Sequence, residues 1–301
     1  MGSEAPCLCR DGNVGCIYRQ PNPIGAAILG DCCGLSVSSN EGASLNVKII
    51  LVLGFIGAGK SSLVKLLTGM DVYVETGLSS GTKKHGVFPT TIDGQRFVFI
   101  DTPGFDDLEV PNMKILEGVT EAIANLTRYV DVAGVLYVHD IQQCRLQSSI
   151  KLNLEMLRAF CGKSYYPNIT FVTTKWDSFS PSGIRSASKR QELWEKGEWE
   201  DIIKGGARVY KHYGVCEDDE EDERNEAMER IRGEIGRYKD APSQRLQIQE
   251  ELESGVAGEE TTAAKVLRDA GLAASPRHIR KSWWRWIVDG VIEAVLSFFG
   301  R

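Results

Sequence analysis

Apolar residues come in short runs along this chain, separated by glycine-rich and polar turns. From Asn46 onward, Val47-Lys48-Ile49-Ile50-Leu51-Val52-Leu53 is β-branched and almost continuously apolar, the pattern of a strand buried on both faces of a parallel sheet. A glycine turn and the helical run Ser61 to Leu67 follow it. Further β-like runs occupy Gln95 to Asp101, Val132 to Val138 and Ile169 to Thr174, with helical stretches near Pro111 to Arg128 and Gln147 to Phe160 between them. Strands alternating with helices predict a doubly wound α/β sheet. One stretch departs from that rhythm: Gly86 to Ile92, then Asp93-Gly94, then Gln95 to Ile100 reads as an antiparallel hairpin on an Asp-Gly turn. The expected fold class is therefore a mostly parallel sheet with one antiparallel edge hairpin, plus a helical C-terminal extension.

Beyond Lys175 the pattern turns polar and helical, with helices expected over Ser186 to Ile203 and Arg224 to Tyr238. Between them stand seven consecutive acids, Glu217 to Glu223, which repel one another and predict a solvated loop. The expected organisation is a poorly ordered Cys- and Gly-rich leader over 1–45, a main domain over 46–240, a mobile connection with one short helix over 241–275, and an amphipathic helix over 276–301.

Composition adds limits to this. At 301 residues with 42% hydrophobic and 25% charged positions, the chain can build one large core, and a disordered or collagenous chain is excluded. The net charge of -6 offers no general field for nucleic acid, so no nucleic-acid partner is expected. Eight cysteines, five of them within the first 33 residues, are too sparse for a disulfide scaffold. The spacing Cys7-x-Cys9 and the adjacent Cys32-Cys33 do not suit zinc. A reducing, cytoplasmic setting is the expectation.

Three motifs carry the chemistry. Gly54-Phe55-Ile56-Gly57-Ala58-Gly59-Lys60-Ser61 fits G-x-x-x-x-G-K-[ST] between a strand and a helix. Gly54, Gly57, Ala58 and Gly59, with Ser62 beyond, would wrap a phosphate in backbone N–H groups. Lys60 would reach the β- and γ-phosphates, and the Ser61 hydroxyl would ligate Mg²⁺. Forty-one residues after Lys60 comes Asp101-Thr102-Pro103-Gly104. Asp101 at a strand end can hold Mg²⁺ through water, and the Gly104 N–H can meet the γ-phosphate. Third, Thr174-Lys175-Trp176-Asp177 ends the run from Ile169. The Asp177 carboxylate can accept two hydrogen bonds from guanine, which adenine cannot supply, while the Lys175 stem packs over the base.

With these motifs in this order, the chain resembles the translation-factor class of P-loop GTPases. The stretches Gly77 to Lys83, Ile92-Asp93-Gly94, Ile100 to Asp107 and Leu157 to Gly162 are similar to the septin, immunity-associated and chloroplast-import branch, in particular to its single-domain fungal members. The resemblance covers about residues 46 to 215. It implies that Thr82 is the switch threonine, ligating Mg²⁺ together with Ser61 and Asp101 and sensing the γ-phosphate; Thr76, Thr90 and Thr91 compete for the role.

Two departures from the family pattern stand out. Phe105 follows Gly104 where Ras-like GTPases carry a water-orienting glutamine, and a phenyl ring cannot orient water. Hydrolysis is then slow, or it takes its group from elsewhere, His85, His139 and Arg145 being candidates that are also ordinary surface or packing residues. Ser186-Ala187-Ser188-Lys189 lies too close to Asp177 to be the fifth nucleotide motif and reads as the start of a helix; the base-pocket wall is instead expected near Val209 to Val215.

At the C-terminus, Arg285, Asp289, Glu293 and Ser297 recur every fourth position opposite a broad apolar face containing Trp283, Trp284 and Trp286. The run is too short and too charged for a simple span. It would dock on the domain or a second copy, or lie on a membrane surface with its basic flank towards headgroups. Pro6 argues against myristoylation of Gly2, and Cys7 and Cys9 are palmitoylation candidates or free thiols.

The sequence thus predicts GTP or GDP with Mg²⁺ as ligands and Lys60, Thr82 and Gly104 as the residues acting at the γ-phosphate. It predicts a GTPase switch that pairs through its G domain. A GTP-dependent assembly module without hydrolysis and an ATP-using P-loop enzyme stay open as alternatives.

Overall fold

The computed structural model describes residues 46–70, 86–104, 112–126, 131–143, 148–214, 220–242 and 244–271, together with 290, 291, 293, 294 and 298. Six strands form a single sheet: β1 (Val47–Gly54), β2 (Gly86–Ile92), β3 (Gln95–Asp101), β4 (Asp131–Asp140), β5 (Ile169–Thr174) and β6 (Arg208–Lys211), in the order β2-β3-β1-β4-β5-β6. All neighbours are parallel except β2 and β3, which form the expected antiparallel hairpin with Asp93 at φ 48 and Gly94 at φ 76 in its turn. The parallel pairings Val52↔Asp101, Gly54↔Val138, Asp140↔Thr174 and Thr173↔Lys211 bring the ends of β1, β3, β4, β5 and β6 to one rim. The result is a mixed six-stranded sheet, mostly parallel with one antiparallel edge pair and flanked by helices, as the sequence pattern predicts.

Alternation along the strands sorts the core into two faces. Ile50, Val52, Phe97, Phe99, Leu136, Val138 and Val172 join Leu63, Val64 and Leu67 of α1 (Lys60–Thr68) in one buried cluster, each side chain contributing about 1.5–3 kcal/mol by leaving water. The α1 helix is stopped by Gly69, at φ 68, whose N–H bonds the Lys65 carbonyl. On the opposite face, Tyr165 donates to the Val132 carbonyl at 2.7 Å, next to α2 (Asn112–Leu126) and α3 (Ser148–Cys161).

Three stretches differ from what the sequence pattern suggests. The helix expected over Ser186 to Ile203 is two, α4 (Pro181–Glu195) and α5 (Glu200–Lys204): Gly197 interrupts the run, and the Trp199 N–H folds back onto the Trp194 carbonyl at 3.0 Å. Ser186 to Lys189 lie inside α4, as a helical reading requires. The acidic run is not wholly a loop. Helix α6 (Glu221–Gly236) starts within it and carries Glu221, Asp222 and Glu223 in its first turn, where the helix dipole favours negative charge and offsets their repulsion. Its buried Ile231 and Ile235 complete the α1-side cluster, and the following Tyr238 hydroxyl bonds Thr170 Oγ1 at 2.7 Å.

The third difference is the segment read as a mobile connection. It holds two helices, α7 (Gln247–Glu253) and α8 (Thr262–Asp269), packed on α2 and α3. Leu246, Ile248, Ala263, Ala264 and Leu267 are all essentially without exposure. Thr261 caps α8 through Ala264 N–H, and the Thr262 N–H reaches back to Glu251 Oε2 at 2.9 Å. Both helices are too short for a clear periodic signal, so their packing was invisible in the sequence.

Little of the C-terminal stretch lies within the described residues, and Trp283, Trp284 and Trp286 fall outside them. Val291 and Ala294 are buried, Gly290 sits where a Cβ would come 3.1 Å from Val87 of β2, and the Arg96 guanidinium lies 5.8 Å from the Phe298 ring centre. Its described part is therefore docked on the β2–β3 hairpin. No described helix is long and apolar enough to cross a membrane.

Two buried histidines set a pH limit on this fold. His139 stacks edge-on against Trp194 and Trp199, with ring centres 4.8 and 5.3 Å away; burial lowers its pKa from 6.5 to about 4, and burial does the same to His212. Both values lie below the unfolded one. Their contribution is therefore whole above about pH 6.5 and is lost as pH falls towards 4, at up to about 1.4 kcal/mol per pH unit for each group. The melting temperature should drop between pH 7.5 and 5, less steeply in His139→Gln. An unchanged slope in that variant would remove His139 as a cause.

Candidate nucleotide site

The rim formed by the strand ends is built of backbone that only glycine can supply. At the end of β1, Gly54 has φ 141, and a Cβ there would lie 2.3 Å from the Val138 carbonyl oxygen of β4. Gly57 and Gly59 follow at φ 70 and 90, leading the loop into α1. The Lys60 ammonium folds over the loop, donating to the Phe55 and Gly54 carbonyls at 2.7 and 3.2 Å. Ala58 and Ser61 are buried, and Ser62 faces solvent.

Across from this loop stands Asp101, 1% exposed at the end of β3. The Ser61 hydroxyl donates to its Oδ2 at 2.6 Å, while Oδ1 is buried and accepts no hydrogen bond. Burial raises the Asp101 pKa, and Lys60 and Ser61 act against that rise. A hydroxyl and a carboxylate with a spare oxygen are hard donors suited to Mg²⁺, and an added dication would favour the charged carboxylate further. The residues present therefore fit that ion. Thr102 pins the adjoining turn, its hydroxyl donating to the Val52 carbonyl at 2.8 Å. Gly104 then passes so close to the phosphate loop that a Cβ would meet the Ile56 nitrogen at 2.4 Å.

The third loop leaves β5. Thr174 Oγ1 donates to the Ala58 carbonyl at 2.8 Å, joining the base-side motif directly to the phosphate loop. Lys175 adopts a left-handed backbone, φ 62, and its ammonium bonds Asp140 Oδ2 at 2.7 Å. Trp176 is fully buried; its indole N–H donates to Thr173 Oγ1, and Lys211 lies over its ring at 4.7 Å. Asp177 lies within the short 3₁₀ turn Trp176–Ser178. The strand β6 ends beside it: the His212 N–H bonds the Thr173 carbonyl at 2.8 Å, and at Gly214 a Cβ would lie 2.7 Å from Asp177 Oδ1.

Gly54, Gly57, Ala58, Gly59, Lys60, Ser61, Ser62, Asp101, Gly104, Thr174, Lys175 and Asp177 thus come together on one rim. Thr82 and its rival Thr76, along with His85, Phe105 and Arg145, lie outside the described residues. Thr90 and Thr91 sit four and five residues along β2 from Gly86, which pairs with Asp101; at about 3.3 Å per residue they are about 13 Å or more from that carboxylate. His139 is walled in by tryptophans and is a packing residue. Two contributors went unseen in the sequence, Asp140 and Gly214, because neither belongs to a motif and both act through a contact between separate strands.

Residues 49–175 match the family model described as 50S ribosome-binding GTPase. The chain is 22% identical over 167 residues to GTP-binding protein A of Dictyostelium discoideum, a match covering 54% of this chain and 35% of that protein. It is 30% identical over 152 residues to Nucleolar GTP-binding protein 1 of Eremothecium gossypii, covering 49% and 22%, and 30% identical over 129 residues to Translocase of chloroplast 90 of Arabidopsis thaliana, covering 42% and 16%. The chain spans about a third or less of the length of these relatives. Among solved structures, Toc33 from Arabidopsis thaliana in complex with GDP and Mg²⁺ aligns with a TM-score of 0.49 at 21% identity, over 73% of this chain and 85% of that one.

Proposed function

We propose that the chain, whose residues 49–175 match the family model described as 50S ribosome-binding GTPase, is a P-loop GTPase that binds GTP and GDP with Mg²⁺ and hydrolyses GTP slowly as a nucleotide-dependent switch. The convergence of three loops carries this reading: Ser61 on Asp101 at 2.6 Å and Thr174 on Ala58 at 2.8 Å tie the phosphate loop to both other motifs. Backbone N–H groups of residues 57 to 62 cradle the phosphates, with Lys60 supplying a positive charge beside them. Ser61, Asp101 and Thr82 would hold Mg²⁺, which when bound neutralises charge on the phosphate oxygens. Gly104 offers its N–H to the γ-phosphate. Asp177 selects guanine, Lys175 covers the base, and residues 212 to 214 form the wall expected near Val209 to Val215.

Within this reading, segments 76–92 and 102–113 order around the γ-phosphate and relax after its loss. The motif stretches from Gly77 to Lys83 and Ile100 to Asp107 support a place in the septin and immunity-associated branch. Phe105 leaves the chain without a side chain of its own to orient water after Gly104. That favours pairing of two G domains as the source of the missing group, and it equally favours the reading of a GTP-dependent assembly module that does not hydrolyse. Phosphate release measured against protein concentration separates the two. A rate per molecule that climbs as protein is raised through the micromolar range is expected. A constant slow rate would remove the paired site, and background release with GTP-dependent change in mass would establish the assembly module. The C-terminal helix is proposed to act by docking, in keeping with buried Val291 and Ala294, and a peripheral membrane role through its tryptophans is the competing use.

A further inference from the structure

The base loop rests on a residue outside every nucleotide motif. Asp140 is the last residue of β4 and pairs in register with Thr174, the last of β5. Both its carboxylate oxygens are engaged: Oδ1 accepts the Gln142 N–H at 2.8 Å, closing the turn that leaves β4, and Oδ2 accepts the Lys175 ammonium at 2.7 Å. The Asp140 side chain is 12% exposed and that of Lys175 37%, so the pair sits at the rim with the carboxylate on its inner side. Among the described residues only Asn46, Asp93 and Lys175 have positive φ without being glycine. Asn and Asp tolerate that conformation through local hydrogen bonds; lysine has no such means and keeps it only where its surroundings hold it. The surroundings are visible: the Ile141 N–H bonds the Thr174 carbonyl at 3.3 Å, and Thr174 Oγ1 lies 3.3 Å from the His139 carbonyl.

We propose that Asp140 is a positioning residue for nucleotide binding, holding the Lys175 side chain extended at the rim so that its stem is pre-set as one wall of the base site. The proposal rests on the guanine-nucleotide reading above. A freely rotating lysine would have to be ordered each time a base arrives, and a tethered one is ordered beforehand. Because Asp140 faces Lys175 and not the base, it adds purine affinity without adding guanine selectivity. That separates its role from Asp177.

The experiment is a double-mutant cycle on the full chain, read as the dissociation constants of GTP, GDP and ATP with Mg²⁺. Asp140→Asn keeps an oxygen for the Gln142 N–H and removes the charge that holds Lys175, so the turn survives while the tether goes; a melting curve like that of the wild type confirms it. Asp140→Asn should weaken GTP and GDP about three- to fivefold, with the GTP-to-ATP ratio unchanged. In a Lys175→Ala background the same substitution should have no further effect. A loss that adds in full to that of Lys175→Ala, or no loss in Asp140→Asn alone, overturns the proposal. Failure of the underlying reading looks different: wild-type protein would then bind ATP as well as GTP, and neither Lys175→Ala nor Asp177→Ala would change either.

Discussion

Lys60→Ala should weaken GTP and GDP binding by two orders of magnitude or more. The residue is 6% exposed, directly behind the glycine loop and beside the Ser61–Asp101 pair. A bond from an ammonium to a charged oxygen contributes about 1.5–3 kcal/mol, and Lys60 is placed to make more than one. At about 1.4 kcal/mol per tenfold, the lower end of two such bonds already amounts to a hundredfold. Truncation also removes the bonds to the Gly54 and Phe55 carbonyls, so the loop could loosen. Titration with a fluorescent guanine nucleotide, accompanied by a melting curve, separates lost affinity from lost fold. Near wild-type affinity in a folded Lys60→Ala variant would mean that the glycine loop is not the phosphate site.

The second large effect concerns which base is accepted. Asp177→Ala should erase the preference for GTP over ATP, a change of at least about a hundredfold in the ratio of their affinities, because two hydrogen bonds to guanine disappear and no adenine contact is lost. The site is built to keep that carboxylate in place. The Gly214 backbone lies so near that a Cβ there would come 2.7 Å from Asp177 Oδ1, and Lys175, two residues before, turns the chain sharply out of β5. Competition of ATP against bound GTP measures the ratio directly. A preference that survives the substitution would move base selection to the wall formed by residues 212 to 214.

What could be read from the sequence and what could not follows from how far each signal reaches. The glycines at 54, 57 and 59 announce themselves because each answers a local backbone demand, and Asp93-Gly94 specifies its hairpin for the same reason. The two-sided burial of β1, β4 and β5 shows as unbroken apolar runs. By contrast, α7 and α8 are seven- and eight-residue helices packed on α2 and α3; runs this short suggest one helix at most and say nothing of the surface they pack against. The acidic stretch misled because repulsion between neighbours is a local argument, whereas the dipole that favours Glu221 to Glu223 belongs to a helix fastened down by Ile231 and Ile235. Asp140 was hidden for a related reason. Its partner is 35 residues away in the chain and adjacent only across β4 and β5.

The hydroxyl of Thr174 meets the carbonyl of Ala58 across 116 residues of chain. The phosphate motif is contiguous, so a ribosome has made all of it long before β4 and β5 exist. The loop nevertheless gains this fastening only when β5 has taken its place beyond β4 at the far side of β1. Closing so long a loop is entropically costly and comes late relative to local turns and helices. Nucleotide is then a ligand for the finished sheet and not for the nascent motif, so bound GTP or GDP would act on the folding equilibrium as a seal on the completed domain.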